Sequence, residues 1–356
     1  MTRFGAALLT MAAAGGAQAA EAGSMIFRDW IAGCDNTRRC TALSLPGEAD
    51  SAFAYLKLQR SGGPADRPVL SLNIRDAKLK PSFKVRLTLD GAPMPTAGRD
   101  LPGSSADQEI GTVEIPEKDA EALIAATRKA AKLGIALDGR RYTLSLAGAV
   151  AALLWLDEQQ QRLGTSTALI RKGDKSVTTI PSAPTLPVLE ARATSGAPAL
   201  DSKAAARLAK ELRAHLKSSA PDSCEDDDGS PASDKVWALD ARTNLVGLLC
   251  ARGAYNFISG YWIVEQGKVA AARRLAFPKP SGKPQEQLVN ADYDPATGKL
   301  DFFDKGRGIG DCGAAGSYVW TGKAFSLANW SEMSTCRGLT ADDWITLFRS
   351  EVKVVK

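Results

Sequence analysis

The segment from Lys305 to Gly313 has the composition best suited to binding chemistry. Four of its nine residues are glycine, which leaves much of the backbone without side-chain cover. A guanidinium such as that of Arg307 can hold a carboxylate or phosphate through two parallel hydrogen bonds, while backbone N–H groups bind alongside. We predict a ligand- or partner-binding site made of Lys305, Arg307, Gly308, Gly310 and Asp311. The alternative is that the glycines only permit positive φ beside a crowded disulfide.

Nucleophilic catalysis has few residues to draw on in this chain. His215 is the single histidine, so every Ser-His-Asp or Cys-His scheme would have to use it. It follows Leu212 by three residues in a basic amphipathic segment, which is the position of a histidine at the rim of an apolar stripe. The sequence contains neither a G-x-S-x-G elbow nor a phosphate-binding P-loop. We predict no catalytic residues.

Two motifs match a cofactor or metal site by their letters alone. Gly308–Gly313 reads G-x-G-x-x-G, but a dinucleotide fingerprint needs a helix to begin there, and Ala314–Ser317 leads into a strand pattern instead. Glu225–Gly229 resembles a calcium loop, but Cys224 and Lys235 stand where the EF-hand pattern requires Asp and Glu. A solvated acidic turn is the simpler interpretation, and we predict neither cofactor nor metal.

Catalysis by carboxylates alone stays open at this point. Asp301, Asp304 and Asp311 lie close along the chain, and two carboxylates at a suitable separation hydrolyse glycosides. Our main hypothesis is a non-enzymatic binding or interaction protein of the cell envelope, whose partner is an envelope protein or an anionic glycan. The alternatives are a carboxylate-dependent hydrolase of an envelope glycan and a proteinaceous inhibitor of an exported hydrolase.

The N-terminus has the pattern of a cleavable secretory signal peptide over residues 1–19. Arg3 precedes the apolar run Phe4–Ala14, and Ala17-Gln18-Ala19 offers the small-x-small site of signal peptidase. Cleavage after Ala19 would release a periplasmic protein. The longest later apolar run, Ala147–Leu156, is far shorter than a membrane span, so we predict no stable membrane insertion. The mixed charge, with 45 basic and 40 acidic residues, argues against nucleic-acid binding.

The cysteines predict three disulfide bonds. An even number in an oxidising compartment favours bridges, and these six cluster as three local pairs. The predicted pairs are Cys34–Cys40, Cys224–Cys250 and Cys312–Cys336. The absence of C-x-x-C and the single histidine argue against zinc.

Periodicity and turn residues predict an α+β, mainly β chain of two antiparallel β-rich domains with a few packed helices. Residues 25–175 form the first domain with two helices, and residues 176–200 form a Pro-rich linker. Residues 201–356 begin with a short amphipathic helix over Asp201–Ser218 and continue as an aromatic-rich, disulfide-bonded β domain. We expect the polar tail Asp157–Arg162 of the second helix to emerge into solvent, and a last helix to open at Thr340.

Four segments of the chain resemble a known family. They are Phe27–Asn36 with Cys40, Gly253–Asn256, Lys305–Gly313 and Cys336–Gly338. Together they resemble the proteobacterial domain-of-unknown-function family 1176 over nearly the whole mature chain. The resemblance implies no activity or ligand.

The first half is also similar, more weakly, to the invasion-associated locus B family of envelope proteins. The shared features are Trp-x-x-x-Cys near the start, Leu123-Ile124 with Arg128-Lys129, and the segment Ser145–Leu153. This similarity implies a shared β-rich fold.

Overall fold

The computed structural model describes residues 23–48, 52–94, 99–221, 224 and 233–355. The predicted signal peptide and the acidic turn at 225–229 lie outside the described residues. Within them the chain is mainly β with three α-helices, so the predicted fold class is confirmed.

The first part of the chain forms an antiparallel sheet of eleven strands. They are β1 (Met25–Phe27), β2 (Trp30–Cys34), β3 (Cys40–Ser44), β4 (Phe53–Arg60), β5 (Val69–Arg75), β6 (Ser82–Leu89), β7 (Ala92–Pro93), β8 (Leu101–Ser105), β9 (Ile110–Ile115), β10 (Lys132–Leu137) and β11 (Arg140–Ser145). Their order in the sheet is β1-β2-β3-β4-β5-β9-β8-β6-β10-β11, with β7 paired to β6. In β6 the buried Phe83, Val85 and Leu87 alternate with exposed residues, as the period of two predicts.

Two helices cover the core of this sheet. Helix α1 (Glu117–Ala126) follows Pro116, and α2 (Ala149–Gln159) places Ala152, Leu153 and Leu156 in the same buried cluster as the strands. In each helix the apolar residues therefore form the face that is buried against the sheet.

Two five-stranded antiparallel sheets form the later part of the chain. The first comprises β13 (Lys235–Ala238), β14 (Thr243–Arg252), β15 (Phe257–Glu265), β16 (Arg273–Arg274) and β17 (Gln287–Val289). The second comprises β18 (Asp292–Asp294), β19 (Lys299–Lys305), β20 (Gly313–Trp320), β21 (Phe325–Met333) and β22 (Ile345–Arg349). Helix α3 (Ser202–Ser219) packs Ala209, Leu212 and Leu216 against the first of these sheets, which confirms the predicted amphipathic helix.

The predicted C-terminal helix is wrong. Ala341–Asp343 form a single 3₁₀ turn, and the chain then continues as β22. Ile345 and Leu347 are buried two residues apart, which is strand periodicity, while the capping signal at Thr340 starts only the short turn.

Part of the predicted linker is a strand. Val188–Arg192 form β12, which pairs in parallel with β23 (Glu351–Val355) and buries Ala191 completely. The Pro-rich composition around this segment predicts a linker, and the sequence gives no sign of the strand because its sheet partner lies more than 150 positions away. The domain boundaries themselves stay a prediction.

Half of the polar tail 157–162 is buried, which corrects the expectation that the whole tail emerges into solvent. Asp157, Gln160 and Arg162 are each 0 % exposed. Asp157 pairs with the equally buried Arg60 of β4 at 2.7 Å, and Gln160 Oε1 accepts from Arg60 Nε at 2.5 Å. Arg60 on a distant strand is the partner of Asp157 and Gln160, so polarity alone misled the prediction.

Residues of both halves share one apolar cluster. Ile31, Leu43 and Tyr55 of the first sheet pack in the same buried group as Ile345 and Leu347 of β22. Polar contacts add to this junction, since Arg349 pairs with Asp35 and Lys57 Nζ lies 2.9 Å from Asp343. The halves therefore meet across a packed apolar interface.

All three predicted disulfides are present: Cys34–Cys40, Cys224–Cys250 and Cys312–Cys336. Separately, no helix in the part of the chain described here has both the length and the apolar character to cross a membrane.

Candidate functional site

The loop from Lys305 to Gly313 joins β19 to β20 as a closed hairpin. Lys305 pairs with Gly313 in register, and Gly306 N donates to Cys312 O at 2.8 Å. Gly313 has φ of 129°, and a Cβ there would lie 1.9 Å from Asp304 O, so only glycine fits. A Cβ at Gly306 would approach Cys312 Sγ to 2.7 Å. These two glycines therefore allow the backbone to pass close to the disulfide.

Arg307 is bound to an internal carboxylate. Its Nε and Nη2 donate to the two oxygens of Asp311 at 2.6 and 2.5 Å, in the bidentate geometry that suits a guanidinium. The Asp311 side chain is 4 % exposed and also accepts from Gly338 N at 2.6 Å. The hydrogen bond from Arg307 is the main reason that the pKa of Asp311 lies below its usual range. The sequence predicts that Arg307 binds an anion from a ligand. In the structure Asp311 of the same loop supplies that anion.

We expect the free energy of unfolding of Asp311→Asn to decrease less than that of the wild type as the pH is lowered. Because the folded-state pKa of Asp311 is depressed, its ionised form stabilises the fold fully above a pH of about 4, the range of an unfolded aspartate. That stabilisation is lost as the pH falls through the lower, folded-state pKa. Urea unfolding at a series of acidic pH values measures it, with the exposed Asp301→Asn as the control. Parallel curves for the wild type and Asp311→Asn would refute this role.

A second segment is fastened to the loop by asparagine side chains. Asn256 Nδ2 donates to Lys305 O at 2.9 Å, and Asn290 Nδ2 donates to Phe303 O and to Asn256 Oδ1, each at 2.9 Å. Tyr255 Oη donates to Gly306 O at 3.3 Å. The segment 252–257 and the loop 305–313 therefore form one continuous surface.

Three apolar side chains on this surface are exposed. Ile309 is 75 %, Phe257 50 % and Tyr255 39 % exposed. The ring of Tyr255 lies against Gly308, since a Cβ at that glycine would be 3.5 Å from Tyr255 Cδ1. We call Tyr255, Phe257 and Ile309, with the loop that carries Ile309, the exposed loop patch. Clustered exposed apolar groups are typical of interaction sites, whereas single ones need no explanation.

The predicted site residues surround this patch in different ways. Lys305 places Nζ 5.6 Å from the centroid of Phe303, and Gly310, with φ of 68°, turns the loop beside the same ring. Gly308 lies beneath Tyr255, while Arg307 and Asp311 form the internal ion pair. Whether these five residues bind a partner stays a prediction, and the structure brings them together on one loop.

Sequence reasoning missed Tyr255, Phe257, Ile309 and Asn290. Apolar residues in strand-rich sequence are expected in the core, so their exposure gives no signal in the chain itself. Asn290 has φ of 48°, a conformation in which asparagine is enriched. The available signals were the family resemblance, which includes Gly253–Asn256, and the glycine-rich segment Lys305–Gly313, which contains Ile309.

A cleft of about 430 Å³ opens beside the patch. Phe257 of the patch also lines this cleft, together with Asn290, Trp237 and Tyr261. The rings of Trp237 and Tyr261 are stacked with centroids 6.5 Å apart. The patch therefore continues into a concave aromatic surface.

The carboxylates considered for hydrolysis do not form a pair at this site. Asp301 and Asp304 lie three residues apart on β19, so they point to opposite faces of the sheet. Asp301 is bound to Lys299 at 2.9 Å, and Asp311 is committed to Arg307 and Gly338. Among the described residues the donor atoms of Asp311, Cys312 and Cys336 cluster within 4.8 Å, but both sulfurs belong to the disulfide and carry no thiolate charge for a metal.

These motifs and this fold define a family without an assigned activity. The chain belongs to the family described as proteins of unknown function, DUF1176, whose model matches residues 24–351. It is similar to the uncharacterized protein YpfG of Escherichia coli K12, with 29 % identity over 340 residues that cover 90 % of this chain and 91 % of the relative. No solved structure matches the chain.

Proposed function

We propose that this protein is an exported, non-enzymatic binding protein that recognises a partner protein of the cell envelope through the exposed loop patch. The observation that carries the proposal is the exposure of Ile309, Phe257 and Tyr255 on two segments that are hydrogen-bonded to each other. Burial of large apolar side chains at the centre of an interface supplies most of its binding energy.

The base of the patch is rigid, which favours recognition. The disulfide Cys312–Cys336 anchors one end of the loop, and the Arg307–Asp311 pair braces its interior. A loop ordered before binding loses less conformational entropy when a partner docks. In this account Arg307 positions the loop, and the apolar side chains make the contact.

A protein partner fits the patch better than a glycan does. Its most exposed member is Ile309, a branched aliphatic side chain that offers no flat ring for stacking on a sugar. The guanidinium of Arg252 lies 5.8 Å from the Phe257 ring and adds a cationic group to the rim. Such an apolar centre with a charged rim is the usual anatomy of a protein interface.

Export is supported by two independent features. Residues 1–19 carry the signal-peptide pattern, and all six cysteines are paired in three disulfides. Disulfides persist in oxidising compartments and are rare in the cytosol.

Competition for a captured partner tests the proposal. Immobilised wild-type protein is incubated with envelope extract, and soluble wild type, Ile309→Asp or Val69→Asp is added as competitor. Val69 is 63 % exposed on β5, so Val69→Asp is the matched control. We expect Ile309→Asp to compete about 30-fold less well or worse, the loss typical of a hot-spot residue. Equal competition by Ile309→Asp and wild type would remove the patch from consideration.

A further inference from the structure

A second cleft, of about 620 Å³, lies where the two halves of the chain meet and shares no lining residue with the exposed loop patch. Trp155 and Gln159 of α2 line it from the first half, together with Ser24. Lys279, Trp330 and Glu332 line it from the second half. Clefts of several hundred Å³ between two packed units are preferred places for small ligands.

The charged groups of this cleft are balanced and held in place. Glu332 Oε1 accepts from Ser24 Oγ at 2.8 Å, and Glu332 Oε2 accepts from Trp330 Nε1 at 3.4 Å. Lys279 Nζ lies 5.4 Å from the centroid of Trp330. In the described part of the chain, no carboxylate oxygen lies within 4.0 Å of Lys279 Nζ. The cleft thus contains one cation and one anion that are not bonded to each other.

Several polar groups in the cleft have no hydrogen-bond partner among the described residues. They are the side-chain amide of Gln159, the indole N–H of Trp155 and the hydroxyl of Ser281. The half-buried ring of Trp155 stands beside them, with its other side near Phe27 at a centroid distance of 6.3 Å. Free donors and acceptors therefore surround an aromatic surface.

We propose that this cleft binds an uncharged saccharide of about disaccharide size. The C–H face of a pyranose ring is apolar and packs on an indole, while its hydroxyls both donate and accept. Gln159, Ser281 and Lys279 supply partners for those hydroxyls. Lys279 faces the carboxylate of Glu332 in the lining and also acts on the nearby carboxyl group of Asp304, so the cleft has no excess positive charge to select an anion, and an uncharged ligand suits it.

Titration of the full mature chain with N,N′-diacetylchitobiose and with maltose, followed by tryptophan fluorescence and calorimetry, tests this inference. We expect saturable binding of at least one of the two sugars, with a Kd in the range of about 0.1–10 mM, as befits a small polar ligand. Trp155→Ala and Gln159→Ala are each expected to weaken it about tenfold or more. Glu158→Ala, which changes an exposed residue of α2 outside this lining, is the matched control and should change Kd by less than about twofold.

Three results would overturn the inference. The first is the absence of saturable binding of either sugar to a wild type that unfolds cooperatively. The second is unchanged affinity in both Trp155→Ala and Gln159→Ala. The third is tighter binding of the charged counterpart, a glucuronate-containing disaccharide, since a lining without net charge does not favour an anion. Because Ile309→Asp leaves this cleft intact, loss of partner competition by that variant and loss of sugar binding are independent outcomes.

Discussion

Asp157→Ala is expected to lower the free energy of unfolding by about 3–5 kcal/mol, the usual cost of removing one partner of a buried ion pair. Both Asp157 and Arg60 are 0 % exposed in their side chains and lie 2.7 Å apart. Asp157 also accepts the backbone N–H groups of Leu169 and Ile170, at 2.7 and 3.1 Å. The substitution leaves a guanidinium and two N–H groups buried without their acceptor. Equilibrium unfolding in urea measures the loss.

Glu117→Ala is the matched control for this prediction. Glu117 pairs with Arg67, but their side chains are 53 % and 75 % exposed. An exposed pair contributes about 0–1 kcal/mol, so the control should remain close to wild type. If Asp157→Ala and Glu117→Ala had similar small effects, the buried cluster would not be a main stabilising element of the junction between β4 and α2.

Replacing both Cys312 and Cys336 by alanine is expected to cost about 3.5 kcal/mol of stability, from the chain-entropy model for a separation of 24 residues. The same change at Cys34 and Cys40, whose separation is 6 residues, should cost about 1 kcal/mol less. Urea unfolding of the two double variants under non-reducing conditions compares them directly.

The two double variants should also differ in partner binding. The Cys312/Cys336 variant loosens the base of the exposed loop patch, so we expect it to compete less well for the captured partner. The Cys34/Cys40 variant changes a hairpin between β2 and β3 and should compete like wild type. Equal competition by both variants would contradict the requirement for a rigid loop.

Local signals in the sequence predicted local features well. The three cysteine pairs are close along the chain, and α3 carries its apolar stripe within 18 residues. Strand β6 was evident because one face is buried and the other exposed. In each case the residues that decide the structure lie within one element or one hairpin.

Features that depend on distant partners could not be predicted in this way. Asp157 of α2, which looked solvated, is buried because Arg60, 97 positions earlier in the chain, meets it in the core. Strand β12 exists only because β23 pairs with it at the far end of the chain. Composition and periodicity describe a segment, while these contacts are set by the packing of the whole chain.

In the candidate site, too, the local features could be predicted and the contacts between distant residues could not. The glycines and the guanidinium singled out the loop 305–313 in the sequence. The expectation that Arg307 binds an external anion followed from its charge alone. Asp311, four residues away, supplies that anion from inside. The exposed loop patch arises only because the segment with Tyr255 and Phe257 is hydrogen-bonded to the loop that carries Ile309, and no spacing in the sequence shows it.

Site-specific photo-crosslinking in intact cells tests the central claim most directly. The full-length protein is produced with a photo-crosslinking amino acid in place of Ile309 or, as the control, in place of Val69, which is also exposed. We expect a discrete crosslinked protein partner from position 309 and none from position 69. Co-production of unlabelled wild type should diminish this crosslink, whereas co-production of Ile309→Asp should not. Identical crosslinking patterns at 309 and 69, or no crosslinked protein at 309, would contradict recognition through the exposed loop patch.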